Sequence, residues 1–140
     1  DKPNQELRPS FEINNINKNV SEVWRLNTRV GIYCKPAVAN NMVYYGDDFG
    51  TMNAVSLKDG VSVWKYKTGS RIISSPDVSG DKVVFGSTDG NIYCLNSLTG
   101  KLIWRYETKK AVMGCPLIQN DTVFIGGSDG CFRSSGSLQN

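Results

Sequence analysis

The chain has 140 residues, with 16 Lys or Arg against 13 Asp or Glu and a formal net charge of +3. This mild charge excludes the clustered basic footprint of a nucleic-acid-binding domain, and no apolar run approaches the roughly 18 residues of a membrane-spanning helix. The chain has no histidine, so it lacks the commonest general base and metal ligand. We therefore predict that it is not an enzyme and has no catalytic residue, metal site or cofactor.

Four cysteines occur, at Cys34, Cys94, Cys115 and Cys131, and none belongs to a C-x-x-C pair. The spacing of a zinc site is therefore missing. We interpret the cysteines as small apolar side chains of the interior. Pairing in an oxidising compartment is the alternative.

The first 21 residues are polar and rich in Asn, and they contain Pro3 and Pro9. They lack the repeat that fills the rest of the chain. We predict a flexible lead-in or an outer strap rather than a domain.

From residue 22 to about residue 133 the sequence repeats with a period of forty residues and no insertion. The step relates one tryptophan, one threonine, one proline and two glycines per unit. These are Trp24, Trp64 and Trp104; Thr28, Thr68 and Thr108; Pro36, Pro76 and Pro116; Gly46, Gly86 and Gly126; Gly50, Gly90 and Gly130. Repeats of this length are typical of propellers and solenoids.

Each unit contains four short runs rich in Val, Ile, Phe, Tyr and Trp. In the middle unit they cover 71–79, 82–87, 91–96 and 101–107, separated by Gly-Asp, Thr-Asp-Gly and Leu-Thr-Gly turns. Asp-Gly between two such runs indicates a hairpin. Four antiparallel strands in about 40–45 residues have the size of one propeller blade. We therefore predict an all-β chain of four-stranded propeller blades.

The strand order predicts one outermost strand at 22–28, complete units at 29–67 and 68–107, and an incomplete unit at 108–133. Residues 134–140 depart from the pattern and are interpreted as a tail. Together the runs supply strands for three blades. The missing last strand of the third blade is of the type that residues 22–28 provide.

Specific motifs carry a family resemblance: S-S-P-x-V at 74–78, V-V-F-G-S-x-D-G at 83–90, I-Y-C-L-N-x-x-T-G-K at 92–101 and W-R-Y at 104–106. They resemble the pyrroloquinoline-quinone (PQQ)-type propeller repeat. That family includes quinoprotein dehydrogenases, the outer-membrane assembly lipoprotein of the β-barrel machinery, and extracytoplasmic domains attached to bacterial Ser/Thr kinases. The resemblance implies a bacterial protein located outside the cytoplasm, in the periplasm or at the outer membrane.

The repeated residues have structural roles in this interpretation. In the family, the tryptophan of the outermost strand packs against the Thr-Gly turn and the neighbouring blade, which implies such a role for Trp24, Trp64 and Trp104. Gly50, Gly90 and Gly130 close the turns between second and third strands, where glycine supplies the positive φ. Cofactor stacking by the tryptophans is the alternative, which their presence in every unit disfavours.

The acidic residues of those turns could in principle form a calcium-binding site. Asp47 and Asp48 stand where Asp89 and Asp129 stand in the later units. Calcium needs six to eight converging oxygens, whereas these acids are spread one or two to a turn. We predict turn-forming carboxylates, because Asp stabilises such turns through its own backbone.

The loops that follow each tryptophan strand are basic, with Arg29, Arg71, Lys109 and Lys110. Alternating strand directions place these loops on one face together with the Asp-bearing turns. One hypothesis is a weakly positive funnel mouth, ringed by acids, that receives an anionic segment or ligand. Ordinary solvated charges with pairing between loops are the alternative.

Three blades cannot close a ring, because propellers hold four to eight. Either two chains join head to tail into a six-bladed homodimer, or the chain is part of a longer propeller. We predict a non-catalytic protein-binding, scaffolding or sensor module that recognises a protein or peptide partner, related to kinase-attached domains. The alternative is a fragment of a PQQ- and calcium-dependent quinoprotein dehydrogenase, although the adjacent cysteine pair typical of those enzymes is missing from the sequence.

Overall fold

The computed structural model describes residues 21–127 and the strand at 132–135. All regular structure in these ranges is β-strand. The strands are β1 (Ala37–Ala39), β2 (Met42–Gly46), β3 (Thr51–Ser56), β4 (Ser62–Lys67), β5 (Asp77–Ser79), β6 (Lys82–Gly86), β7 (Asn91–Asn96), β8 (Leu102–Glu107), β9 (Leu117–Gln119), β10 (Thr122–Gly126) and β11 (Phe132–Ser135).

The strands form three antiparallel sheets, each a meander in chain order. Blade 1 contains β1 to β4, blade 2 contains β5 to β8, and blade 3 contains β9 to β11. The prediction of an all-β chain built from four-stranded antiparallel blades is confirmed for the first two sheets, and the third has three strands among the described residues. No helix in the described part of the chain is long and apolar enough to cross a membrane.

Tight turns connect the first two strands of each blade. In blades 1 and 3 both central residues have positive φ, at Asn40 and Asn41 (57° and 58°) and at Asn120 and Asp121 (52° and 61°). Two central residues with positive φ match the right-handed twist of the flanking strands. Asn and Asp tolerate this region better than other non-glycine residues, which explains their presence at these turns.

Two predicted boundaries differ from the structure. Residues 22–28, predicted as an outermost strand, belong to no strand. Each outermost strand pairs with the strand that precedes it in the chain, as β4 pairs with β3, and no described strand precedes residue 22. At the other end, β11 continues to Ser135 opposite Val123, two residues into the predicted tail. The remaining parts of the lead-in and the tail, 1–20 and 136–140, lie outside the described residues.

The inner strands also begin later than predicted, and the run at 71–79 forms a strand from Asp77 onward. The residues before it are bonded instead to blade 1 and to the β6–β7 turn of blade 2. The N–H of Ile72 donates to the carbonyl of Asp47 at 3.1 Å, and the carbonyl of Arg71 accepts from Thr88 at 2.9 Å. Pro76 has no N–H for a ladder bond, so pairing starts after it.

The core lies between successive blades. One cluster joins Tyr44, Met52 and Trp64 of blade 1 to Ile72 and Phe85 of blade 2, all buried. A second cluster joins blade 2 to blade 3 in the same way, with members Val84, Ile92, Cys94, Val112, Val123 and Ile125. Apolar faces that pack blade on blade are the main stabilising feature of repeat architectures.

Close contact between blades depends on a glycine at the end of each second strand. A β-carbon on Gly46 would lie 2.2 Å from the Ile72 side chain, and one on Gly86 would lie 2.3 Å from that of Val112. Both apolar side chains are 1% exposed. The forty-residue step of the glycines is therefore a packing requirement of neighbouring blades.

Candidate binding face at the loop ends of the blades

The connections between blades and the turns between second and third strands lie at the same end of the sheets. Thr51, which follows the first such turn, is paired with Lys67, which precedes the blade 1 to blade 2 connection. We call this end the loop face; it comprises residues 28–36, 47–50, 68–76, 87–90 and 108–116. The opposite end, with the turns at 40–41, 57–61, 80–81 and 97–101, is the turn face.

Threonine hydroxyls fix the start of each blade connection. Thr68 Oγ1 donates to the carbonyls of Gly50 and Ser70, both at 2.8 Å. Thr108 Oγ1 makes the equivalent bonds to Gly90 at 2.9 Å and Lys110 at 2.8 Å. These bonds tie the connection to the Asp-bearing turn beside it and set where the basic residues of the loop face lie.

The carboxylate of Asp47 is used within its own turn. Its Oδ1 accepts the N–H groups of Phe49 and Thr51, both at 3.0 Å. Its Oδ2 accepts Nδ2 of Asn53 at 3.1 Å. Asp47 is buried, so this carboxylate holds the turn and is not offered to a ligand.

Asp89 has the same function in blade 2. It accepts hydrogen bonds from Gly69 N at 2.9 Å, Asn91 N at 2.9 Å and the Tyr93 hydroxyl at 2.5 Å. Burial raises the pKa of Asp89, but the bonds from Tyr93, Gly69 and Asn91 outweigh it and leave the pKa below its ordinary value. Burial and the bond to Asp89 raise the pKa of Tyr93 to about 12. Asp129, the equivalent residue of the third unit, lies outside the described residues.

A basic residue of the blade connections and an acidic residue of the turns form an ion pair. Nε of Arg71 donates to Oδ1 of Asp48 across the boundary between blades 1 and 2. For Arg71, the structure therefore agrees with the alternative interpretation, in which charges of neighbouring loops pair with each other. Both side chains are substantially exposed, and such pairs contribute about 0–1 kcal/mol to stability.

The other predicted basic residues lie on the loop face without such a partner. Arg29, Lys109 and Lys110 are exposed, and none forms an ion pair within the described ranges. Arg29 and Lys109 are equivalent by position and both have positive φ, 59° and 70°. The sequence did not single out Lys35, which is also exposed on this face and has no ion pair to a described residue.

Exposed apolar side chains accompany these cations. Tyr33 is 64% exposed, Phe49 67% and Met113 47%. Tyr33 and Met113 are equivalent positions of blades 1 and 3, just before the innermost strands. Cations beside exposed aromatic and thioether groups are typical of protein-binding surfaces, where aromatic residues, Met and Arg are enriched.

A cavity of about 560 Å³ opens where the three innermost strands begin. Its wall repeats with the forty-residue step and consists of Lys35, Pro36, Ala37, Val38, Ser75, Pro76, Asp77, Val78, Cys115, Pro116 and Leu117. The volume is within the usual range of ligand pockets, about 300–1,000 Å³. Asp77 is the one carboxylate among the described residues of this wall, and its Oδ2 already accepts the N–H of Ile118 at 2.7 Å.

The tryptophans lie on the turn face. The indole N–H of Trp24 donates to the carbonyl of Leu57, and that of Trp64 to the carbonyl of Ser97, both at 2.9 Å. Each acceptor belongs to the following blade and is 33 residues further along. Trp104 is half-buried, and its Nε1 is the one buried side-chain nitrogen or oxygen without a hydrogen-bond partner among the described residues.

Gly50 and Gly90 close the second-to-third-strand turns with φ of 88° and 96°. Gly130 lies outside the described residues. No group of three or more Asp, Glu or Cys side chains that could hold a metal occurs in the ranges that the structure covers. Free thiols are present at Cys34, Cys94 and Cys115, of which Cys115 is exposed.

Comparison with known proteins identifies the family. The family model described as outer membrane protein assembly factor BamB matches residues 12–135. The chain belongs to this family. The prediction of a PQQ-type repeat is thereby confirmed, whereas the link to kinase-attached domains stays a prediction. No curated protein matches the chain.

Solved structures share the fold of the BamB family. BamB from Moraxella catarrhalis superposes with a TM-score of 0.74 at 25% identity, over 84% of this chain and 37% of that one. The quinohemoprotein alcohol dehydrogenase ADHIIG from Pseudomonas putida HK5 gives 0.66 at 23% identity, over 76% of this chain and 18% of that one. A europium-containing methanol dehydrogenase superposes with a TM-score of 0.59 at 21% identity, over 66% of this chain and 19% of that one. The chain thus spans little more than a third of the BamB structure, and its likeness to the dehydrogenases is one of fold.

Proposed function

We propose that this chain is a non-catalytic protein-binding module of the BamB family. Its loop face would take up an extended partner segment that carries acidic and apolar side chains. Membership of a family described as an outer membrane protein assembly factor supports a protein partner. One observation favours the loop face as the binding surface. Its aspartates are bonded within the protein, whereas most of its basic side chains form no ion pair with a described residue.

The described aspartates of the loop face and its cavity are engaged inside the protein. Asp47 and Asp89 hold turns. Asp48 pairs with Arg71, and Asp77 accepts the N–H of Ile118 in β9. Their capacity to repel or pair with a ligand is therefore reduced. An anionic partner would meet the basic side chains first.

Those basic side chains are available to a partner. Arg29, Lys35, Lys109 and Lys110 are exposed and make no ion pair within the described residues. They supply a positive potential that steers an acidic segment. Tyr33, Phe49 and Met113 supply the apolar contacts that give an interface its affinity.

The test uses a fluorescein-labelled peptide of ten residues that alternates Asp or Glu with Phe or Leu, measured by fluorescence anisotropy. The double variant K109E/K110E should weaken binding by about tenfold or more, because it places like charges against the peptide. The control K58E/K101E makes the same change in net charge on the turn face, where both lysines are exposed. It should leave the affinity within about twofold.

Two results would contradict the proposal. Equal weakening by both double variants would mean that net charge, and not the loop face, governs binding. A peptide that alternates Lys with the same apolar residues and binds as tightly as the acidic one would remove the electrostatic basis. Raising the salt concentration should weaken the acidic peptide alone.

We also propose a location in the periplasm or at the outer membrane, supported by the family description. Fractionation of the source cells with an antibody against the chain tests it, and recovery in the cytoplasmic fraction would contradict it. A scaffold that assembles partners is compatible with this location. A sensor module beside a kinase domain stays a prediction from the repeat resemblance.

A further inference from the structure

The cavity among the innermost strands has a wall in which one position of the repeat is constant and its neighbours vary. Proline stands at 36, 76 and 116 in all three units. Lys35, Ser75 and Cys115 precede the prolines, and Ala37, Asp77 and Leu117 follow them. Constant positions of a repeat array build each unit and its contact with the next. The variable positions give this wall a different chemistry on each blade, which is what a selective binding site needs.

We propose that this cavity is the part of the loop face that selects the partner, by holding one carboxylate side chain of the partner segment together with the apolar side chain next to it. The carboxylate lies on the blade 1 side of the cavity and the apolar side chain on the blade 3 side. Since this site belongs to the proposed binding function of the loop face and rests on it, it decides which segments that face accepts.

Two side-chain hydrogen bonds fix the cavity wall across both blade boundaries. Ser75 Oγ accepts the N–H of Lys35 at 2.7 Å, which ties blade 2 to blade 1. Asp77 Oδ2 accepts the N–H of Ile118 at 2.7 Å, which ties blade 2 to blade 3. Innermost strands surround the central channel of a propeller, and these bonds hold three of them around one preformed space. A preformed site has less conformational entropy to lose when a ligand binds.

On the blade 1 side, the polar groups left for a ligand are hydrogen-bond donors. The Lys35 ammonium is exposed and forms no ion pair with a described residue. The Ser75 hydroxyl lies beside Lys35 because it accepts the Lys35 N–H, and no described group accepts its own O–H. An ionised carboxylate can only accept hydrogen bonds. It is therefore the side-chain group that matches these two donors and the positive charge.

On the blade 3 side, the wall is apolar. Leu117 lines it and is 53% exposed, and the buried Pro116 stands beside it. Val38 and Val78 continue the apolar surface toward blades 1 and 2. A Leu or Phe side chain of the partner that covers Leu117 removes both apolar surfaces from water, which favours binding.

Asp77 restricts which acidic segments fit. The bond from Ile118 directs its carboxylate toward β9 on the blade 3 side, and its Oδ1 accepts the N–H of Val78 at 3.1 Å. A second carboxylate of the partner on that side would lie against a like charge, which opposes binding. The cavity therefore disfavours an uninterrupted run of acidic residues and favours an acidic residue followed by an apolar one.

Cys115 lines the cavity and is exposed, so its thiol reports whether the cavity is filled. The measurement uses the C131S chain, the uncharged reagent N-ethylmaleimide, and the ten-residue acidic–apolar peptide with both ends capped. Capping leaves side chains as the only carboxylates of the peptide. At saturating peptide, labelling of Cys115 should slow by about tenfold or more, because a thiol reacts only where the reagent has access. A peptide with Ser in place of Phe and Leu should leave the rate within about twofold.

The variants L117E and L98E separate the cavity from net charge. The two leucines are 53% and 51% exposed, and Leu98 lies on the turn face. L117E places a carboxylate against the partner segment and should weaken binding of the fluorescein-labelled peptide by about tenfold or more. L98E makes the same change away from the cavity and should leave the affinity within about twofold. The circular dichroism of both variants should match that of the parent chain.

The outcomes distinguish the cavity from the wider loop face. Unchanged labelling of Cys115 at saturating peptide, or binding by L117E as tight as by the parent chain, overturns the cavity site. The loop face proposal still stands in that case if K109E/K110E weakens binding. No change of anisotropy with the parent chain overturns both. Protection of Cys115 by a peptide with a free terminal carboxylate, but not by the capped peptide, overturns the assignment to a side-chain carboxylate.

Discussion

A β-carbon on Gly100 would lie 2.6 Å from the ring of Trp64, although 36 residues separate them and they belong to different blades. Gly100 also has a φ of 78°, which L side chains rarely adopt. The tryptophan, the glycine and the Ser97 carbonyl that accepts the indole N–H form one contact between blades. The same contact recurs at Trp24 and Gly60, so the repeat encodes how blades pack as well as how each is built.

The substitution G100A should therefore destabilise the protein by more than G80A. Gly80 also has positive φ, 59°, but a β-carbon there would meet nothing within 4 Å. G80A isolates the backbone cost of an L residue at positive φ, about 1–2 kcal/mol, whereas G100A adds a clash with a buried ring. Urea denaturation measures both. Equal losses of stability in the two variants would contradict the packing role of Gly100.

The indole hydrogen bond can be separated from ring packing by comparing W64F with W104F. W64F removes the indole donor to the Ser97 carbonyl, which keeps its bond from the Tyr44 hydroxyl at 3.0 Å, so the lost bond should cost about 0.5–1.5 kcal/mol beyond the loss of ring volume. W104F removes an N–H that has no acceptor among the described residues and should cost less. Chemical denaturation of both variants gives the difference. A larger loss for W104F would be inconsistent with these assignments.

The burial of Tyr93 and its hydrogen bond to Asp89 predict a loss of stability in alkali. The pKa of Tyr93 is raised from the ordinary value of 10.0 to about 12. An acid whose folded pKa lies above its unfolded pKa stabilises the fold below about pH 10 and loses that contribution as pH rises toward 12. Wild-type stability should fall through this range, and Y93F should remove that part of the fall. Y33F, at an exposed tyrosine, controls for the loss of one phenol; an unchanged profile in Y93F would refute the link.

Thiol reactivity should distinguish the three described cysteines. Burial raises the pKa of Cys94 to about 12 and is also the main cause of the raised pKa of Cys34, whereas Cys115 is exposed. Reaction with a thiolate needs both access and deprotonation. In a C131S background, an aromatic disulfide reagent at pH 8 should label one thiol per folded chain and three after unfolding. Labelling of more than one thiol in the folded protein would contradict this burial pattern.

The dehydrogenase alternative predicts binding of PQQ in the presence of calcium. The structural likeness to ADHIIG is one of fold at 23% identity, and the described residues gather no metal-ligating group. We expect no saturable quenching of tryptophan fluorescence when PQQ and calcium are added together. Saturable quenching that disappears with a chelator would establish the alternative and remove the case for a purely protein-binding module.

The fold was predictable because the repeated turn residues mark where each strand begins and ends. Turn glycines recur every forty residues, and the runs between them, six to nine residues long in the middle unit, favour strands over helices. The outermost strand at 22–28 stays a prediction, because these residues pair with no described strand. Sequence pattern gives a segment its strand propensity, but a strand also needs a partner to accept its hydrogen bonds.

The candidate face was only partly predictable. Strand alternation placed Arg29, Lys109 and Lys110 at one end of the sheets, but it could not show that Arg71 reaches Asp48 of the preceding blade. That contact depends on how blades pack. Lys35 and Asp77 were missed for the same reason, although each adjoins a proline of the repeat, Pro36 or Pro76, which marks the start of an innermost strand.

The most direct test of the proposed loop face is a titration of the ¹⁵N-labelled chain with the acidic–apolar peptide, followed by amide chemical shifts. We predict shifts at Arg29, Lys35, Lys109 and Lys110, with no change at Lys58 or Lys101 of the turn face. Shifts confined to the turn face, or to the outer edges of β4 and β8, would contradict the account and place the partner elsewhere on the blades.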